Sequence, residues 1–202
     1  MSAERVPEFP PELFLRHDGA GPFAINDASA IVPCDRSLRH MVAMMKADVS
    51  TFREHWNEPV VRRLYPGLFI AWTYRLTHWL HVRGLRAPAM LVMWACHAVT
   101  GAEIRPGAVL GPGLMVVHPS GVVINGGAIA GARLQLYGAN LLGANLAHGM
   151  HGTPRLGDDV IFSHGAMAMG PIVIGDGALV GAMSLVLHDV EPGARVKGIP
   201  AK

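Results

Sequence analysis

The chain is poor in cysteine, in aromatic residues and in charge, and each shortage removes a class of protein. Its two cysteines, Cys34 and Cys96, stand far apart and outside any CxxC pair. Neither a disulfide framework nor a zinc knuckle is therefore predicted, and each cysteine reads as a small hydrophobe. Only 16% of the 202 residues are charged, 17 Lys and Arg against 15 Asp and Glu, and the basic ones are scattered. Nucleic acid is excluded as a partner, because its binding surfaces gather such residues into a stripe. The longest apolar run, 87–100, has 14 residues and includes His97, short of the ~20 that cross a bilayer. It reads as a buried helix, with no membrane partner. Residues 1–12 carry Glu4, Glu8 and Glu12 among three prolines, which is no basic leader, and the cytoplasm is the default expectation.

What the sequence does contain falls into unlike parts. Residues 1–34 hold Pro7, Pro10, Pro11, Pro22 and Pro33 without apolar period and read as an extended arm. From Asp35 to residue 100 the pattern is helical. Leu38, Met41, Val42, Met45, Val49, Phe52 and Trp56 recur at steps of three and four, one face of a helix that ends at Pro59 or Pro66-Gly67. A second helix carries Leu68, Phe69, Trp72, Leu76, Trp79 and Leu80 and stops near Gly84. A third begins at Pro88 and ends at Gly101, following the preference of proline for the first turn and glycine for the stop. The methionine and tryptophan stripes are predicted to be core.

Past Gly101 glycine, small and β-branched residues dominate and a period of six appears. Ile104, Leu110, Val116, Val122, Ala128 and Leu134 are spaced by six; the step fails between Asn140 and Arg155, then resumes at Leu156, Phe162, Ala168, Ile174, Val180 and Val186. Such a period predicts a parallel β-helix in which each hexad is one short strand and turn, three hexads make a triangular coil, and the first residue fills the shaft. Two blocks of six hexads give about four coils over 101–194. Segment 140–155 is expelled as a loop, and 195–202 form a tail. The fold class is α+β: a helical domain followed by a β-helix.

Several stretches in this order, Gly101-Ala-Glu-Ile-Arg-Pro-Gly-Ala108, His118-Pro-Ser-Gly-Val-Val123, Pro154-Arg-Leu156 and Gly198-Ile-Pro-Ala-Lys202, resemble the serine O-acetyltransferases of the hexapeptide-repeat class. Tyr65-Pro-Gly-Leu68 and Tyr74-Arg-Leu-Thr-His-Trp79 are similar to that family's helical lead-in. The resemblance covers roughly residues 40–202 and implies a left-handed β-helix, homotrimers or dimers of trimers, and transfer of an acetyl group from acetyl-CoA to a hydroxyl of serine or a serine-like amino alcohol. No metal is expected. The resemblance makes His118 the general base and puts Glu103 where the family has the aspartate that orients it. An alcohol is a poor nucleophile at neutral pH and an imidazole is a suitable base for it, while a carboxylate fixes the tautomer. It further implies cofactor contacts, through backbone amides, at Gly143, Ala144, His164, Gly165, Ala182 and Met183, with Arg195, Lys197 and Lys202 toward the phosphates.

The acceptor pocket departs from the family. Val117 replaces the aspartate that precedes the histidine, Gly152-Thr153 replace Arg-His before Pro154-Arg155, and Glu58-Pro59 stands for Asp-Pro. Glu58, His151, Thr153 and Arg155 are the candidate acceptor contacts, with His148 near them. The sequence alone leaves two other readings open, a catalytically weak trimeric scaffold and a zinc enzyme like the γ-type carbonic anhydrases. The family's docking tail ends in isoleucine whereas this sequence ends Pro200-Ala201-Lys202, so a complex with cysteine synthase is not expected.

Overall fold

The computed structural model describes residues 37–55, 65–145 and 152–202. Helices α1 (Leu38–His55), α2 (Pro66–Val82) and α3 (Arg86–Thr100) precede fourteen strands of two or three residues. Sheet A contains β1 (Glu103–Ile104), β4 (Val123–Ile124), β7 (Leu141–Gly143), β10 (Met167–Met169) and β13 (Leu185–Val186). Sheet B contains β2 (Val109–Leu110), β5 (Ile129–Ala130), β8 (Arg155–Leu156) and β11 (Val173–Ile174). Sheet C contains β3 (Met115–Val116), β6 (Gln135–Leu136), β9 (Ile161–Phe162), β12 (Leu179–Val180) and β14 (Arg195–Val196). Each strand pairs in parallel with the strand three places on, until β14 pairs with β12. This is a three-sided, left-handed parallel β-helix.

Register corrects the period. Ile104 pairs with Ile124 and Val116 with Leu136, each twenty positions on, whereas later coils advance by eighteen, as Leu156 to Ile174 does. Two extra residues therefore widen the turn between Val117 and Val122, and the shaft residues of the second coil are Ile124, Ala130 and Leu136 rather than Val122, Ala128 and Leu134. All six are buried, which is why hydrophobicity alone could not separate the frames. The excursion is also shorter than 140–155. Leu141–Gly143 lies in sheet A and Arg155 in sheet B, while Ile129 pairs with Arg155 at a separation of twenty-six, so the eight residues beyond eighteen fall in sequence between Gly143 and Arg155.

The first coil has no coil beneath it, so its open edge needs partners. Helix α2 supplies them. The Tyr74 hydroxyl donates to the Ala108 carbonyl at 2.8 Å and accepts from the Leu110 N–H at 3.0 Å. Arg75 donates from Nη1 to the Leu110 carbonyl at 2.6 Å and from Nη2 to that of Gly111 at 2.7 Å. The same guanidinium meets Asp48 of α1 through Nε at 2.9 Å and Nη2 at 2.8 Å, and Asp48 Oδ1 accepts the Leu114 N–H at 2.9 Å. Burial opposes the charge of Arg75, but the Asp48 carboxylate prevails and holds its pKa above the ordinary value. His78 Nδ1 donates to the Pro106 carbonyl at 2.9 Å, and burial pushes its pKa down to about 4.

This network decides which faces are inside. On α1 the buried residues are Met44, Asp48, Thr51 and Phe52, while Leu38 and Val42 of the expected stripe are exposed: the ion pair, not the apolar period, sets the rotation. Helix α3 is not buried all round. Ala89, Met93 and Cys96 face the protein, whereas Leu91, Trp94 and Val99 are 62%, 56% and 81% exposed and Trp72 of α2 is 40% exposed, so these members of the stripes are not core within one chain. Among the described residues no helix is long and apolar enough to cross a membrane. Cys34 and the arm 1–34 lie outside the described residues.

Candidate active site

His118 sits on the widened corner that leads from sheet C to sheet A, in the turn His118-Pro119-Ser120-Gly121. Carrying the register one step past the sheet C strands stacks His118, Gly138, His164, Ala182 and Gly198 on successive coils of this corner. His118 and His164 are exposed. Between them Gly138, at φ +112°, leaves a notch: a Cβ there would stand 2.9 Å from His118 Cβ and 3.0 Å from His164 Nδ1. Only glycine adopts that torsion without strain. The corner is thus a lane along the coils in which two imidazoles alternate with glycine and alanine.

The backbone of the lane alternates between spent and unspent donors. The Gly165 N–H is bonded to the Gly138 carbonyl at 2.9 Å and the Met183 N–H to the His164 carbonyl at 3.0 Å, so these two amides are paired within the coil. Among the described residues the N–H groups of His164 and Ala182 enter no such bond. Lys197 stands near the far end of this corner.

Glu103 opens β1, one coil below Val123, with its N–H bonded to the Val122 carbonyl at 2.7 Å. Its carboxylate accepts from Arg105 Nε at 2.7 Å. Within the described residues no hydrogen bond joins it to His118.

The remaining candidates occupy the next corner, between sheets A and B. Gly143 ends β7, Ala144 follows it, and Thr153 lies just before β8, its hydroxyl 2.9 Å from where a Cβ on Gly127 would be. Arg155 opens β8, and burial pushes its pKa down to about 10, which leaves it cationic at neutral pH. Gly152 packs against Pro171, whose Cβ would be 2.6 Å from an added Cβ; no long side chain fits there without movement. Val117 is 6% exposed and packs with Phe52, Leu68 and Met115, so this position anchors the helices to the coil rather than facing an open pocket. Glu58, His148 and His151 lie outside the described residues. One chain therefore carries the candidate residues on two separate corners. Among the described residues no cluster of three or more His, Cys, Asp or Glu could hold a metal ion. Gly138 was missed from the sequence, since its place between the two histidines appears only once the unequal coil lengths are known.

The chain is similar to known proteins along most of its length. It is 36% identical over 168 residues to the serine acetyltransferase of Mycobacterium tuberculosis, covering 80% of this chain and 72% of that protein. It is 35% identical over 150 residues to the serine acetyltransferase of Helicobacter pylori strain J99, covering 74% and 86%. Among solved structures, Neisseria gonorrhoeae serine acetyltransferase superposes with a TM-score of 0.77 at 30% identity, over 82% of this chain and 68% of that one. The same enzyme in complex with serine gives 0.74 at 29%, over 81% and 69%. No family model matches the chain.

Proposed function

The chain belongs to the serine acetyltransferase family, and from that premise we propose that it transfers an acetyl group from acetyl-CoA to the hydroxyl of serine or a serine-like amino alcohol, with His118 as general base. The observation that carries this reading is an exposed histidine at one end of a corner of small residues and a second imidazole, with unspent N–H donors at His164 and Ala182. His118 takes the hydroxyl proton as the oxygen attacks the thioester carbonyl. The imidazolium returns the proton to the departing thiolate as the C–S bond breaks. Acetyl-CoA supplies only the activated acyl group.

The other candidate residues take roles from the family resemblance. Glu103 orients the His118 ring once its carboxylate is shared with or released from Arg105. Gly143, Ala144, His164 and Ala182 line the donor site, Gly165 and Met183 shape it, and Lys197 meets its phosphates. Glu58, His151, Thr153 and Arg155 contact the acceptor. Because the two corners are apart in one chain, the working site forms between prisms of a homotrimer. The outward ladder Val123, Leu141, Met167 and Leu185 on sheet A is apolar and half-buried, which suits such packing.

The test is product identification. Incubating the protein with acetyl-CoA and L-serine, or with other hydroxyl compounds, should release free thiol in step with an O-acetyl ester seen by mass spectrometry. Thiol release without an ester, or neither, overturns the proposal.

A further inference from the structure

The corner that bears His118 bears a second imidazole. His164 Nδ1 lies 3.2 Å from the carbonyl oxygen of Tyr137. A carbonyl oxygen only accepts, so the bond keeps the proton on Nδ1 and leaves Nε2 of the neutral ring as a lone pair. The ring is exposed and shares the Gly138 notch with His118. Tyr137 itself packs against the apolar cluster of Phe52, Leu68, Met115 and Val117, so the carbonyl that orients His164 is held by the same anchor that steadies the strand leading to His118.

A thioester placed at His118 extends its carrier up the corner past Gly138 to His164, two coil spacings of about 4.8 Å each along the backbone, but the side chains close that gap, His118 Cβ and His164 Nδ1 lying 2.9 and 3.0 Å from a Cβ built on Gly138. In coenzyme A the first amide N–H is separated from sulfur by two methylene groups, which puts it in that interval. The lane offers N–H donors at His164 and Ala182 for the carbonyls of the arm, but an arm N–H needs an acceptor, and leaving it without one is costly. Resting on the acetyl-CoA reading above, we propose that His164 is a positioning residue for the acyl donor. Its neutral Nε2 accepts the amide N–H nearest the thioester and holds the reacting carbonyl over the Gly138 notch, opposite His118.

The test is calorimetric titration of the whole protein with coenzyme A. His164→Ala should weaken binding about three- to tenfold, the range of one neutral hydrogen bond. His164→Gln, whose carbonyl oxygen stands near the place of Nε2, should restore it to within about twofold. In turnover the alanine variant should raise KM for acetyl-CoA and for S-acetyl-N-acetylcysteamine, which keeps the amide, with little change in kcat. It should match the unmodified protein on S-ethyl thioacetate, which lacks the amide. Unchanged affinity in His164→Ala, equal losses in both variants, or a loss on the ethyl thioester overturns the inference alone. Failure of the unmodified protein to bind coenzyme A overturns the acetyl-CoA reading and this inference with it.

Discussion

Replacing Asp48 by alanine is predicted to lower the unfolding free energy by about 3–5 kcal/mol. The carboxylate is 0% exposed and receives two hydrogen bonds from Arg75, itself 4% exposed, and one from the Leu114 N–H. Without it the guanidinium keeps the Leu110 and Gly111 carbonyls but loses its counter-charge in a buried place, and the Leu114 N–H loses its carboxylate acceptor. The charge, not the packing, should carry the loss. The double variant Asp48→Ala with Arg75→Met removes both charges and should recover part of the stability, the Leu110 and Gly111 carbonyls and the Leu114 N–H losing their partners. Urea unfolding reads this directly. All four tryptophans, Trp56, Trp72, Trp79 and Trp94, precede the strands, so their emission reports the part of the chain before the β-helix while far-ultraviolet circular dichroism reports the whole chain. A loss under about 1 kcal/mol, or a double variant no better than the single one, would refute the claim that this pair latches the helices to the coil.

Other expectations rest on separate contacts. His78 has a folded pKa of about 4, below the ordinary 6.5, so the unfolded chain binds more protons between those values. Its contribution is complete above pH 6.5 and is lost as pH falls toward 4, on the order of 3 kcal/mol. Denaturant midpoints across that range should fall with pH, and less so in His78→Asn, which keeps a donor without titrating. Gly138→Ala puts a Cβ against His118 and His164 at φ +112°; acetyl transfer should drop at least tenfold, read by thiol release, with about 1–2 kcal/mol lost in stability. Gly67→Ala drives a Cβ into the Val116 carbonyl oxygen and should lower the melting temperature by more than any exposed substitution on α2.

The architecture was legible because a shaft residue every six positions can be satisfied by few folds, and Gly101 ended α3 by torsion alone, whereas its start lies at Arg86, two residues before Pro88. Register was not legible. Val122 and Ile124 are equally apolar and equally buried, and only pairing tells which one continues the column from Ile104. The buried face of α1 was misread for a related reason: Asp48 looks like a surface residue until Arg75, twenty-seven positions on, is folded against it. At the site, the resemblance pointed to His118, but the position before it could be named only as a departure. Its cause, the packing of Val117 under Phe52 and Leu68, depends on the meeting of helices and coil, which local sequence does not encode. The pairing of Glu103 with Arg105 was in reach, since residues two apart on a strand share a face.

The central claim is that His118 is the base in acetyl transfer, and His118→Ala tests it most directly. Steady-state kcat/KM with L-serine and acetyl-CoA, measured on a variant whose melting temperature and coenzyme A affinity match the unmodified protein, should fall by about 10²–10⁴. A variant that retains activity within about threefold would contradict the account.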